Sequence, residues 1–329
     1  MVKLRSLPPC AFLMLVAAGF GAASTAHAQQ PFPSNTIRIV VPTVAGTPPD
    51  IISRVVAAEL TEAEGWRMLV ENRPGALQTI GMSDVLKQPT DGYSIYPMSV
   101  PTMVVPALLP HLGLRPDVDF TPVIKISTSY NVLVVPPSFP TKSVSELVAV
   151  LKKQPGRYNF SSAGFGTPAH LAGEMFKLQT GVSATHVPYQ QSQQRIADLL
   201  NGTNHFDFLA SVSAGDFIAT GKLRGLAVTA PQRVAGIKDV PTVVEQGFPN
   251  LVLEDYVGYA VKSGTPKDIV VRLNEAINKA LHKAKVRDAF ATLGATPAGG
   301  TSTEFGKLIR SQVAYWSNVV KESGIKMPQ

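Results

Sequence analysis

A single cysteine, Cys10, is all the thiol chemistry this chain has. It precedes the apolar run at 11–19, and no plausible mature start follows it, so it is not a lipid attachment site. Beyond it there is no disulfide scaffold, no thiolate metal site and no cysteine nucleophile. Paired carboxylates placed for acid–base work are absent, as is a phosphate-binding P-loop. The histidines beyond the first 30 residues, His111, His170, His186, His205 and His282, are never spaced from one another or from an acid as in H-E-x-x-H, so no metal is expected. The net charge is +7, but the basic residues are scattered, with no run longer than Lys152-Lys153. Without a basic stripe and interleaved aromatics, nucleic acid is not an expected partner. No second long apolar stretch follows the N-terminal one, so a soluble mature protein is expected.

That N-terminal stretch has three parts. Lys3 and Arg5 make a positive start, an apolar run spans 11–19, and small residues end in Ala26-His27-Ala28. The order matches a cleaved secretory signal over 1–28, and the apolar core is shorter than the roughly 20 residues of a membrane span. The mature chain is therefore expected from Gln29, outside the cytoplasm. About 300 residues suggest two domains.

Strand-like and helix-like segments alternate from there on. Strands are predicted at 36–42, 68–71, 94–98, 131–135, 158–161, 206–210 and 224–229. Helices are predicted at 50–64, 80–87, 144–153, 168–180, to 200 from before Ile196, from Pro266 through Lys285 with Thr265 as cap, and 303–322. Such alternation implies parallel sheets covered by helices.

Two strand-to-helix loops stand out, because ligands of open α/β sheets bind at the carboxyl ends of strands. The loop 42–50 (PTVAGTPPD) offers the N–H groups of Gly46 and Thr47 and the Thr47 hydroxyl, while Pro48 and Pro49 have no N–H to offer. Asp50 suits the first turn of the following helix on dipole grounds alone. The second loop carries Gly164-x-Gly166-x-x-Ala169. Three readings fit it: an anion cradle at a helix start, a plain tight turn, or a dinucleotide fingerprint. The last lacks the acid about 20 residues on that would hold a ribose, so no cofactor is expected. Ser211-Val-Ser213-Ala-Gly215 nearly matches a nucleophile elbow, with serine in the first glycine place. Asn201-Gly202-Thr203 fits a glycosylation sequon, as short motifs do by chance.

Over nearly the whole mature length the chain resembles a known family, the Bug (TctC-like) extracytoplasmic solute receptors of tripartite tricarboxylate transporters. The resemblance is carried by Pro31-Phe32-Pro33 before IRIVVP, VENRPGA (70–76) with Ile80-Gly81, and Asp91-Gly92-Tyr93. It continues through NVLVVPPSFPTKSVSEL (131–147), SAGFGTPAHLAGE (162–174), HVPY (186–189), GKLRGLAVT (221–229) and DVPTVVEQGFP (239–249), and ends with SGTPKDIVVRLN (263–274) and VVKESGIK (319–326). It implies a two-lobed, type II-like periplasmic binding protein fold of class α/β, each lobe a mostly parallel sheet flanked by helices. One lobe would hold 29–130 and 253–329, the other 131–252.

The resemblance further implies a small organic acid held between the lobes by the two loops, and delivery to membrane transporter subunits. Carried over residue by residue, the ligand-binding positions are Ala45, Gly46, Thr47 and Asp50 in the first loop. Ser162, Ala163, Gly164, Phe165, Gly166, Thr167 and His170 come from the second, with Tyr189 and Ser213 beyond it. The departures from the family pattern cluster in the same places. Thr47, Pro48 and Pro49 replace later glycine and threonine positions, Phe165 stands where an Asn-like residue is usual, and Gln190–Arg195 fill a stretch usually small. The family's Asp-Asn pair is replaced near Leu209-Ala210. From this pattern the ligand is expected to differ from a simple dicarboxylate, with an apolar or aromatic part against Phe165 and polar contacts from Arg195 and the glutamines. Alternatives of other classes are a ligand-presenting sensory receptor and an exported hydrolase using Ser213 or Ser162 with His170.

Overall fold

The first strand, β1 (Ile37–Val41), is buried on both faces: Ile37, Ile39 and Val41 belong to one core and Val40 to another. A strand covered on both sides reads as a continuous apolar run, as this one does. The computed structural model describes residues 32–325, so the expected signal at 1–28 and Cys10 lie outside the described residues.

Helix α1 (Pro48–Glu64) opens with two prolines where N–H groups would have no partner anyway. It closes on Gly65 in the left-handed region, φ 69°. Its Ile52, Val56 and Leu60 pack beneath β1. Strand β2 (Met68–Asn72), α2 (Thr79–Leu86) and β3 (Ser94–Met98) follow, and β2-β1-β3 form parallel ladders. Helix α3 (Val100–Leu108) was not expected. Two prolines mask it, but Pro101 sits in its first turn, and a capping box between Ser99 and Thr102 starts it.

After α4 (Pro116–Asp119), strand β4 (Phe120–Val135) runs for 16 residues. Only its apolar end, 131–135, was legible; Pro122, Lys125 and the serines before it break the pattern. The chain then alternates through α5 (Val144–Lys153), β5 (Asn159–Ser162), α6 (Pro168–Thr180), β6 (Thr185–Pro188), α7 (Ser192–Leu200), β7 (Phe206–Ala210), α8 (Ser211–Ala219) and β8 (Arg224–Val228). Strands β6-β5-β7 pair in parallel.

Strand β9 (Glu254–Lys262) returns antiparallel to both β3 and β4. The helix expected from Pro266 through Lys285 is interrupted. Helix α9 (Lys267–Leu281) ends at His282 and α10 (Ala284–Ala291) starts anew, with Pro266 rather than Thr265 as the cap of α9. The Thr265 hydroxyl donates backwards to the Lys262 carbonyl at 2.7 Å. Strand β10 (Thr296–Gly299) and helix α11 (Ser302–Ser323) complete the described chain.

Among the described residues the strand order is β2-β1-β3-β9-β4-β7-β5-β6, with β10 and β8 also paired to β4. Strand β4 changes partner in mid-course: Tyr130 pairs with Glu254 of β9, and the next residue, Asn131, pairs with Ala210 of β7. The outer ladders are parallel and the joins through β4 and β9 antiparallel. Two sheets thus share one strand, and the architecture is a two-lobed α/β fold. The shared strand and the segment entering β9 meet the carboxyl ends of β1 and β5, where the two loops lie.

Candidate ligand-binding cleft

A cavity of about 320 Å³ opens between these elements. Thr43, Thr47, Pro48 and Pro49 border it from the first loop, and Ala163, Thr167, Pro168 and Ala169 from the second. The shared strand β4 contributes Ser127, Ser129, Tyr130 and Asn131, and its neighbour β9 contributes Asp255, Tyr256 and Val257. Arg195, Ser211, Gln78 and Ser99 complete its polar lining, while Ile52, Phe208 and Leu293 make it partly apolar. A larger groove of about 720 Å³ adjoins it through Ser129, Tyr130, Ser211, Gly294 and Ala295, but neither loop borders that groove.

The first loop is fixed from below. Asp50 is 2% exposed, and its carboxylate accepts from the Gly46 N–H at 2.9 Å, from Asn72 Nδ2 at 2.9 Å and from Arg54 Nε at 3.1 Å. Burial alone would raise its pKa; the bonds from Arg54, Gly46 and Asn72 outweigh it and hold the carboxyl below the usual range. Asn72 also donates to the Thr43 carbonyl at 3.0 Å. Gly46 takes φ +82°, which a side chain would resist. The Thr43 and Thr47 hydroxyls share a hydrogen bond of 2.7 Å at the rim.

The second loop is fixed by a histidine pair. The His170 and His186 rings lie 4.2 Å apart, and Phe165 meets both edge-on at 5.2 and 4.9 Å. His170 Nδ1 accepts from the Gly166 N–H at 3.1 Å, and His186 Nε2 bonds Ser162 Oγ at 2.6 Å. Ser162 Oγ also takes the Gly164 N–H at 3.0 Å. Burial, reinforced by neighbouring positive charge, pushes His170 down to about 3 and His186 down to about 4, so both act as neutral rings. With these bonds made, the N–H groups of Ala45, Thr47, Ala163 and Phe165 have no protein acceptor. Main-chain donors near two helix starts suit an anion.

Arg195 is buried, and its Nε and Nη2 grip both oxygens of Asp207. Its Nη1 has no protein partner, and the residue borders the cavity. The cleft therefore offers a guanidinium donor whose charge is already answered.

Of the residues singled out from sequence, Thr47, Ala163, Thr167 and Arg195 border the cavity. Ala45 and Gly46 lie on the exposed outer turn of the first loop, and the Gly46 N–H serves Asp50. Asp50, Ser162, Gly164, Gly166 and His170 support the loops from behind. Phe165 packs on the histidines, and the cavity's apolar wall comes from other side chains. The Tyr189 hydroxyl donates to Asp198 at 2.7 Å and accepts from Asn204 at 2.8 Å, away from the lining. Ser213 is exposed on α8, and Ser211 takes the cavity position instead. Ser162 pairs with His186 rather than His170 and is fully buried.

A third lining segment escaped the sequence reading. Ala76, Leu77 and Gln78 all take positive φ, 46°, 52° and 70°. Left-handed backbone outside glycine costs roughly 1–2 kcal/mol per residue, and such strain collects at ligand clamps. Gln78 is pinned by Thr102 at 2.8 Å and Ser99 at 3.2 Å. Leu77 reaches the second loop: a Cβ on Gly166 would stand 2.1 Å from Leu77 Cδ1. The one local sign in the sequence was the Arg-Pro-Gly turn before it.

Comparison with known proteins agrees with this architecture. The family described as tripartite tricarboxylate transporter family receptor matches residues 52–325. Protein BugT of Bordetella pertussis is 33% identical over 298 residues, 90% of this chain and 91% of that protein. The Rhodopseudomonas palustris protein Rpa4515 with adipate superposes with a TM-score of 0.78 at 31% identity, over 90% of this chain and 99% of that one. MatC of the same organism, with bound malate, gives 0.76 at 28% identity, over 88% and 100%. With a family match over most of the chain and relatives of nearly equal length, this chain belongs to the tripartite tricarboxylate transporter receptor family, the solute-binding receptors of which BugT is one relative.

Proposed function

We propose that this chain is a periplasmic receptor that captures a small carboxylate-bearing solute between its lobes and presents it, unaltered, to a membrane transporter. The observation that carries this reading is the cavity bordered at once by both strand-to-helix loops, by the strand β4 that the two sheets share and by its neighbour β9. The lobes divide at the partner change of β4, giving 29–130 with 253–329 and 131–252 as the two bodies. A carboxylate fits the unpaired N–H groups of the loops together with Arg195 Nη1. Related receptors hold adipate and malate, which supports the ligand class. The N-terminal pattern at 1–28 supports export and cleavage.

Closure follows from differential affinity. A solute seated on one lobe gains its remaining contacts only when the other lobe arrives, so binding shifts the population toward the closed form. No hydrolytic step is assigned, because Ser162 is buried behind the loop. The test is thermal unfolding with a panel of small mono- and dicarboxylic acids. A ligand at a hundredfold excess over its Kd raises apparent stability by about 2.7 kcal/mol. At least one acid should do so, and Ala163→Trp, which fills the cavity, should abolish the shift. A shift that survives this variant, or none with any acid, defeats the reading.

A further inference from the structure

The two charged side chains of the cavity are not equivalent. Arg195 is answered by Asp207. Asp255 has no such partner: its Oδ1 accepts from the Tyr256 N–H at 2.9 Å, and its Oδ2 has none. The nearest charge acting on it is a like one, Glu254, which is itself paired with Lys125. Burial pushes the Asp255 carboxyl up; the Tyr256 N–H opposes this and Glu254 adds to it, leaving it at about 7. Two further polar groups of the same lining are without partners. Asn131, 5% exposed, has an unbonded Nδ2, and Tyr256, 2% exposed, an unbonded hydroxyl. All three sit where β4 changes sheets. Asp255 is half-buried in the cavity wall; once a solute seals it from water, a carboxyl without a cation is costly unless its partner arrives with that solute.

We propose that Asp255 is a specificity-determining residue that receives an ammonium group of the solute, so that this receptor prefers an amino-carboxylic acid to a dicarboxylic one. The inference rests on the cavity being the solute site. The solute carboxylate meets the loop N–H groups, and the ammonium meets Asp255 on β9, beside the shared strand. A second carboxylate in that place makes a like-charge pair, which is tolerated only when one member takes a proton. The two ligand classes therefore have opposite pH signatures. Tyr130 on β4, Tyr256 on β9 and Arg195 border the same cavity; Arg195 is paired with Asp207, and Glu254 next to Asp255 is paired with Lys125. Both tyrosines are raised by burial, and no histidine borders the cavity.

Calorimetric titration of the full chain with matched pairs tests this: 4-aminobutanoate against pentanedioate, and 5-aminopentanoate against hexanedioate, at pH 6 and pH 8. The amino acid of a pair should bind more tightly, and its affinity should rise by up to about tenfold between the two pH values as Asp255 ionises, while that of the diacid falls. Asp255→Asn keeps the bond to the Tyr256 N–H; it should remove both slopes and reverse the preference, with the melting temperature confirming an intact fold. Tighter binding of the diacids to the natural protein, or pH slopes that persist in Asp255→Asn, overturns the inference and leaves the receptor reading standing. No binding by any of the four acids overturns the inference, and binding that survives Ala163→Trp overturns both.

Discussion

Gly166 meets demands from three directions. Its φ of +72° belongs to the left-handed region, its N–H is taken by His170, and Leu77 occupies the space a side chain would need. Gly166→Ala is therefore expected to press the second loop away from Leu77 and weaken solute binding. Overpacking of this kind costs about 1–3 kcal/mol, or roughly 5- to 150-fold in Kd. Adding Leu77→Ala should restore the part of that loss due to the clash and leave the strain of an alanine at φ +72°, and calorimetry of the single and double variants checks it. If the double variant binds no better than Gly166→Ala, the Leu77 contact is not what the glycine protects. At this scale the sequence was readable in part. Glycines and a proline-bounded turn marked both loops, yet chain order does not tell which groups face a cavity and which hold it from behind. Asp50 and His170 are such supports: each spends its hydrogen-bonding capacity on a glycine N–H of its own loop. Asp255 and Gln78 carried no local motif, because their placement depends on strands and turns distant in the chain.

Helix α11 shows what periodicity does reveal. Phe305, Ile309, Val313, Trp316 and Val320 recur at helical spacing, and all are buried. Thr301 and Glu304 form the capping box that starts the helix. Trp316 is fully buried, so Trp316→Ala should destabilise the protein by about 3–5 kcal/mol. Thr301→Ala should cost only about 1 kcal/mol. Denaturant unfolding of the two variants gives the comparison, and equal losses would contradict this account of the helix. Amphipathic elements were legible in this way: α5, α6, β3 and β7 have the bounds their patterns predict. Elements whose environment is set by tertiary contacts were not. Strand β4 has a polar first half because it passes between β9 and β10 beside the cavity. Helix α3 is nearly all apolar and contains Pro106, so neither period nor composition distinguishes it from a buried loop.

For the whole molecule, family motifs conveyed more than composition did, since the matching segments led to the two-lobed α/β fold. They did not convey the solute. Around the cavity, the two loops carry unpaired main-chain N–H groups, Arg195 is already paired with Asp207, and Asp255 of β9 is a carboxyl without a cation. Selectivity is then a property of the assembled cavity rather than of any one segment. The most direct measurement is a crystal structure of the protein with the acid that stabilises it most. The account predicts the carboxylate of that acid between residues 43–47 and 163–167, hydrogen-bonded to main-chain N–H groups and to Arg195 Nη1. An acid bound instead in the adjoining 720 Å³ groove, with the two loops making no contact to it, would contradict the account.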